Sequence, residues 1–324
     1  MNLQDYHSLE RTSFLVTGGA GFIGSNLVEV LLELGCSVKV LDNLLTGKEE
    51  NINKYYGDHL FEFIKGDVRS IEDCKRACEG VDYILHQAAL GSVPRSIQDP
   101  ITTNDINISG TLNMLIAARD SKVKRFVYAS SSSVYGDEPN LPKVEERIGR
   151  PLSPYAITKK VKELYAQNFS ELYGLPTIGL RYFNVYGKRQ DANSVYAAVI
   201  PTFIKKLLNN ESPIINGDGL HSRDFTYIED VIQANLKSCL AGEKAFGQVF
   251  NIAYGERITL NNLFEKIQRL LRKNVSPEYG PVRQGDVKHS NADIKKAKEL
   301  LRYEPGYDIN NGLALCIDWY KEHL

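Results

Sequence analysis

The stretch SFLVTGGAGFIGSNLVEVLLELG, residues 13–35, decides how the rest of the chain is read. SFLV is a short apolar run of strand character, and TGGAGFIG follows at once, from Thr17 to Gly24. SNLVEVLLELG then repeats apolar residues at helical spacing and stops at Gly35, a residue suited to a helix C-terminus. CSVKVLDN reads as a second strand, ending on Asp42 and Asn43. Strand, glycine turn, helix and strand within roughly 30 residues form the unit that cradles a dinucleotide. Gly18, Gly21 and Gly24 give the pattern G-x-x-G-x-x-G. Glycine there permits the tight turn and a close backbone approach to a pyrophosphate. The helix N-terminus adds free N–H groups and partial positive charge. A glycine turn alone can be purely structural; the strand running in and the amphipathic helix running out favour the cofactor reading.

The alternation continues down the chain. FEFIKGD reads as a strand, EDCKRACEG as a helix, VDYILHQAA as a strand, Ile101–Asp120 as a helix and RFVYAS as a strand. Such alternation implies a parallel sheet covered by helices on both faces. After about residue 184 the pattern loosens. IPTFIKKLLNN is a helix, SPIINGDGLHSRDFTYIEDV mixes strand and turn, and two more helices precede a last one, NGLALCIDWYKEHL. No linker rich in Pro, Gly or Ser separates the parts, so the second is expected to pack tightly on the first. The expected fold is α/β: a Rossmann-type doubly wound parallel sheet with a smaller mixed α/β C-terminal domain for substrate. The division expected is 1–183 for the cofactor, with 224–254 returning to it, and 184–223 plus 255–324 for the substrate.

Composition narrows the function classes. In 324 residues, Lys plus Arg number 39 and Asp plus Glu 40, a net charge of −1. A nucleic-acid binder shows a basic excess or stripe, and none is visible. The opening MNLQDYHSLERT lacks the apolar core of a signal peptide, and glutamates interrupt LVEVLLEL, so neither export nor a membrane span is expected. The cytoplasm is the expected compartment. The cysteines, at 36, 74, 78, 239 and 316, are odd in number and dispersed, unlike a disulfide framework. Cys74 and Cys78 have helical spacing, but no second pair or His cluster joins them to make a metal site. They read as two half-buried helix thiols.

Two carboxylates follow the glycine turn. Asp42 lies 18 residues past Gly24, at a strand end, where it can accept from both ribose hydroxyls of the adenosine and repel a 2′-phosphate. NAD is therefore expected over NADP, with Lys48 the nearby cation that would argue otherwise. Asp67 is placed to meet the adenine amino group. Further on, SPYAITKK sets Tyr155 and Lys159 one helical turn apart on the same face, after Pro151 and Pro154. An unperturbed phenol titrates near pKa ~10 and is a poor base at neutral pH; an adjacent ammonium favours its ionised form.

TGGAGFIG, HQAAL (His86–Leu90), SSSSVYG (Ser130–Gly136) and Tyr155-x-x-x-Lys159, in that order, resemble the extended short-chain dehydrogenase/reductase family. LGSVPRSIQDP, LRYFNVYGKRQ and GDVKHSNAD further resemble bacterial UDP-N-acetylglucosamine 4-epimerases of surface-polysaccharide pathways. The resemblance implies bound NAD and interconversion of UDP-GlcNAc and UDP-GalNAc through a 4-keto sugar, with UDP-glucose and UDP-galactose as weaker substrates. Tyr155 would take the proton of the sugar 4-hydroxyl, and Lys159 would support it and hold the nicotinamide ribose. Ser131, or its rival Ser132, would hydrogen-bond the 4-oxygen. Related dehydratases and decarboxylases carry an acidic residue just before VYG; here that residue is Ser133. The alternatives are a UDP-glucuronate 4-epimerase or another nucleotide-sugar oxidoreductase.

Position by position, the resemblance implies a cofactor wall of Gly18, Gly21, Phe22, Ile23 and Gly24, then Asp42, Asn43, Thr46 and Gly47, then Asp67 and Val68. Gln87, Ala88 and Ala89 would continue it, and Tyr155, Lys159, Tyr182 and Val185 would close it. For the substrate it implies Asn184, Arg223 and Arg283 at the diphosphate, Asp286 at the uridine ribose, and Ile200 and Asn216 as further substrate contacts. Gly91, Ser92 and Arg95 would stand near the sugar. Ser290 falls where galactose epimerases often carry a tyrosine, which would leave space for an acetamido group. No metal is implied. A homodimer is, through the Ile101–Asp120 helix and the helix of Tyr155, whose Ile157, Val161, Leu164 and Tyr165 could make an apolar face.

Overall fold

The computed structural model describes residues 2–282 and 287–324. Seven parallel strands form the central sheet. They are β1 (Ser13–Thr17), β2 (Ser37–Asp42), β3 (Phe61–Lys65), β4 (Tyr83–His86), β5 (Arg125–Ser131), β6 (Thr177–Tyr182) and a late strand, Gln248–Ile252. Their order across the sheet is late strand, β6, β5, β4, β1, β2, β3. Strand order reverses beside β1, which pairs with β2 through Phe14↔Val38 and with β4 through Phe14↔Tyr83. A crevice at such a reversal, outside the carboxyl ends of the strands, is where a doubly wound sheet binds its ligand.

Burial explains the continuous apolar runs. Every residue of β6 is buried, as are all of β5 except Ser131, because helices cover both faces. On one face the core runs from Phe14 and Val127 through Phe183 to Phe203, Leu263 and Leu313, with no break between the sheet and the C-terminal part. On the other, Leu15, Ile84, Met114, Phe126 and Phe169 form a second cluster. Each such large side chain contributes roughly 1.5–3 kcal/mol when fully buried.

Helix α1 (Phe22–Glu33) leaves the glycine turn, and α2 (Ile71–Cys78) follows β3. After β4 come α3 (Val93–Gln98) and α4 (Pro100–Asn104), a π turn (Asp105–Ser109), and α5 (Gly110–Asp120). The single helix expected over Ile101–Asp120 is thus interrupted by a wide turn. Asn107 sits in it, accepting from Leu90 N at 2.8 Å and donating to Thr158 Oγ1 at 3.0 Å. Such turns recur at functional sites; this one ties the loop after β4 to α6 (Pro154–Tyr173). α6 starts on a Ser153 cap, with Pro154 as its first residue, and ends at Gly174 in the left-handed region.

The C-terminal part adds α7 (Val199–Leu208), α8 (Ile228–Leu240), α9 (Leu260–Leu271), α10 (Lys295–Leu301) and α11 (Ile309–His323). The sequence reading counts one helix too few after residue 227. The short α10, rich in lysine and only partly apolar, carries too weak a periodicity to stand out. Cys74 and Cys78 are fully enclosed rather than half-buried, because α2 packs that face on α5. All five thiols are unpaired. Among the described residues no group of three or more His, Cys, Asp or Glu could hold a metal, and no helix is long and apolar enough to cross a membrane.

Candidate active site

Three cavities join at the carboxyl ends of β1, β4, β5 and β6. The first, of about 350 Å³, lies over the glycine turn. Gly18, Gly21, Phe22, Ile23 and Gly24 form its floor; Asp42, Asn43, Thr46 and Gly47 form one wall. Val68, Gln87, Ala88 and Ala89 complete it. The turn has no room to spare. A Cβ on Gly24 would stand 2.1 Å from the Gly18 carbonyl oxygen, and Gly18 itself has φ +68° with Ala88 against it. The backbone therefore lies open to a pyrophosphate, and α1 presents its unpaired N–H groups there.

Asp42 anchors one end of this wall. Its carboxylate accepts from Ala20 N at 3.0 Å and Leu44 N at 2.8 Å. Burial raises its pKa, and those two donors oppose the rise. Lys48 also lines the cavity, 3.6 Å from both Glu50 and Asp191. Asp67 is not on the cavity wall. Arg69 takes its carboxylate at 2.7 and 3.0 Å, and Asn43 donates to it at 2.7 Å. Those contacts, led by Arg69, pull its pKa down to about 2.

The second cavity, of about 280 Å³, shares Phe22, Ile23, Gln87, Ala89 and Gly91 with the first. Ser131, Tyr155, Lys159, Tyr182 and Val185 face it. Lys159 donates to the Ala129 carbonyl at 2.9 Å. Its ammonium is pulled down to about 8 by burial, against the attraction of Glu163. Burial raises the Tyr155 phenol, and a hydrogen bond with Ser131 counters it. Of the two candidate serines, Ser131 is the one on the wall; Ser132 is not. Ser130 also lines this cavity, and its hydroxyl donates to Glu163 at 2.6 Å.

Glu163 is the anchor of the helix that carries Tyr155. Arg181, buried on β6, grips both its oxygens at 2.8 and 2.9 Å and reaches Tyr135 Oη at 3.0 Å. At the carboxyl ends of β1 and β4, His86 bridges Thr17 at 2.8 Å and Thr111 at 3.0 Å. The Thr111 hydroxyl donates to Asn107 O at 2.7 Å, so His86 Nε2 carries the proton and Nδ1 accepts. Burial holds its pKa well below the ordinary value, and the ring is neutral.

The third cavity, of about 230 Å³, shares Asn184, Val185 and Gln190 with the second. Ile200, Asn216 and Arg223 line it, beside Tyr186, Phe203 and Phe225. Asn184 stands at φ +36°, its amide donating to Asp224 O at 2.8 Å and Ser290 Oγ at 3.3 Å. Ser290 therefore sits behind Asn184 rather than on the wall. Ser92 caps α3, and the Arg95 guanidinium lies 4.8 Å from the centre of the Tyr196 ring, away from all three cavities. Arg283 and Asp286 fall outside the described residues. Not anticipated were Asn51, Arg189 and Asp191 on the first cavity and Gln190 between the other two. Nothing local in sequence marks them, because they reach the wall from loops distant in the chain.

The NAD dependent epimerase/dehydratase model matches residues 14–253. The chain belongs to that family. It is 40% identical over 311 residues to a putative UDP-glucose 4-epimerase of Methanocaldococcus jannaschii, covering 95% of this chain and 98% of the relative. Against a UDP-glucuronate 4-epimerase of Thermodesulfobacterium geofontis the identity is 37% over 322 residues, with 96% and 97% covered. Among solved structures, a UDP-N-acetylglucosamine 4-epimerase from Methanobrevibacter ruminantium, in complex with UDP-N-acetylmuramic acid, superposes with a TM-score of 0.92 at 40% identity. That match covers 97% of this chain and all of the other. Family membership makes NAD the cofactor. The glycine turn that a single Cβ would fill, followed by Asp42 at the end of β2, is the cradle such a molecule requires.

Proposed function

We propose that this protein is a 4-epimerase that interconverts UDP-GlcNAc and UDP-GalNAc, with UDP-glucose and UDP-galactose as weaker substrates. The observation that carries the proposal is the meeting of Tyr155, Lys159 and Ser131 where the cofactor and nucleotide cavities join. NAD supplies the group that accepts and returns hydride. Tyr155 takes the proton of the sugar 4-hydroxyl and returns it to the same oxygen after the sugar has turned. Lys159 favours the ionised phenol, and Ser131 donates to the 4-oxygen as charge gathers there. Ser133 offers no carboxylate for work at C5, which disfavours dehydration.

One observation supports the acetylated sugars: a Cβ added to Gly91 would meet nothing within 4 Å. Aromatic Tyr186 and Phe225 with Ile200 suit a pyrimidine, and Arg223 suits a diphosphate. UDP-glucuronate is the second reading, since one relative carries that activity in its name. Its carboxylate needs a cation, and Lys159 is the one cation among the described residues on the wall of the catalytic cavity. Incubation with UDP-GlcNAc, followed by proton NMR, tests the proposal. UDP-GalNAc should appear without net NADH. If UDP-GlcNAc is inert while UDP-glucuronate is converted, the second reading takes its place.

The working unit of this reading is a homodimer in the cytoplasm. Ile101 is 73% exposed, and Ile157 and Leu164 about half, so these side chains are not consumed by the protein's own sheet. They are exposed apolar side chains on two helices that pack together, and such a surface suits a second copy.

A further inference from the structure

Lys162 follows Lys159 by one turn on the inner face of α6, and its side chain is fully enclosed. Its Nζ has no hydrogen-bond partner among the described residues. Glu163 is no counter-ion, since both its oxygens serve Arg181. The elements packed on α6 supply none either. From β4 comes neutral His86; from β5, the un-ionised Tyr128 and an Ala129 carbonyl already taken by Lys159. Arg181 of β6 and Tyr135 bond each other. Asp105 of the π turn acts on Arg69, Arg119 of α5 pairs with Asp120, and Arg95 of α3 covers Tyr196. An ammonium buried without a partner is strongly disfavoured, so the side chain sheds its proton. The neighbouring charge on Lys159 pushes the same way.

We propose that Lys162 is a positioning residue that holds a neutral amine one turn behind Lys159, so that Lys159 is the one charged lysine on this inner stretch of α6 when oxidised NAD is bound. Protonation of Lys162 and the charge of the nicotinamide ring are then linked. A proton on Lys162 opposes the cationic oxidised ring and is indifferent to the uncharged reduced one. By reciprocity, hydride arrival on the ring raises the proton affinity of Lys162, and hydride departure lowers it. Lys162 takes one proton from solvent and gives it back; no electron passes through it. The inference needs only NAD, so it stands or falls separately from the sugar assignment.

The test equilibrates the cofactor-loaded protein with a redox mediator couple. The reduced fraction is read from dihydronicotinamide absorbance between about pH 8.5 and about pH 6. Wild type is compared with Lys162→Met and Lys162→Gln under identical conditions. As pH falls, the reduced-to-oxidised ratio of wild type should climb about threefold or more beyond that of either variant. Parallel curves would overturn the proposal, because a purely structural lysine changes stability and not this difference. Should both variants fail to fold, ¹⁵N-lysine spectra of wild type decide. An Nζ titrating far below the ordinary lysine range, with a midpoint that rises on cofactor reduction, upholds it; a midpoint that stays put sinks it.

Discussion

Lys159 holds its ammonium 5.6 Å from the centre of the Tyr155 ring, one turn along the same helix, while donating to the Ala129 carbonyl. The cation therefore acts on the phenol through space and is fixed in place by the end of β5. Removing the phenol oxygen by Tyr155→Phe should lower kcat about 10²- to 10⁴-fold, with a small change in KM. Steady-state kinetics on UDP-GlcNAc checks the split.

The same pair sets a pH dependence. Lys159 loses its proton as pH rises through about 8, and with it the attraction that favours the phenolate. Activity should fall through that region. Stability moves the other way on this account. Between about 8 and about 10.4 the unfolded lysine binds more protons than the folded one, so stability rises with pH there. Turnover and thermal midpoints measured over one pH series separate the two effects.

Asp42→Ala removes the acceptor of the Ala20 and Leu44 amides and the carboxylate proposed to meet the ribose. Affinity for NAD should drop about 10- to 100-fold, and preference over NADP should shrink with it. Calorimetric titration with both cofactors reads this directly.

Glu163→Gln leaves Arg181 charged, buried and short of its partner. The cost should be about 3–5 kcal/mol, visible as a lower denaturant midpoint. Burial alone would raise the Glu163 pKa, but Arg181 and Ser130 bring it below the ordinary value. The carboxylate's contribution is thus complete at neutral pH and is lost as pH falls through the folded value. The variant should accordingly show a flatter loss of stability in acid than wild type.

Ser290→Tyr should depress kcat/KM for UDP-GlcNAc at least about tenfold more than for UDP-glucose, as a ring displaces the hydroxyl behind Asn184. Equal losses on both sugars would mean that position 290 acts only by holding Asn184.

The parallel sheet, the glycine turn and the Tyr155–Lys159 pair were legible because each rests on local pattern: period, spacing and residue type within one turn. Asp67 shows where that legibility ends. Its place after β3 is plain in sequence, but its partner Arg69 depends on how the loop closes. Ser290 fails in the same way: the spacing located it, while the packing that turns it toward Asn184 joins residues 106 apart. The π turn escaped because five residues of wide helix look like ordinary helix in a hydrophobic pattern. Lys162 could not be recognised as buried, since a lysine on a helix ordinarily reads as its wet face.

The strand Gln248–Ile252 covers the outer flank of β6, with Phe250 opposite Leu180. It is made some seventy residues after β6, when most of the nucleotide cavity's wall has already left the ribosome. Until then β6 is an all-buried strand with one naked edge, the kind of surface that recruits strands from other chains. A fragment ending at residue 183 would keep the glycine turn and the Tyr155–Lys159 pair and still be a poor candidate for a soluble dinucleotide-binding module. The N-terminal sheet cannot be separated from the C-terminal part, because its last seam is sewn by thread that has first passed through the other.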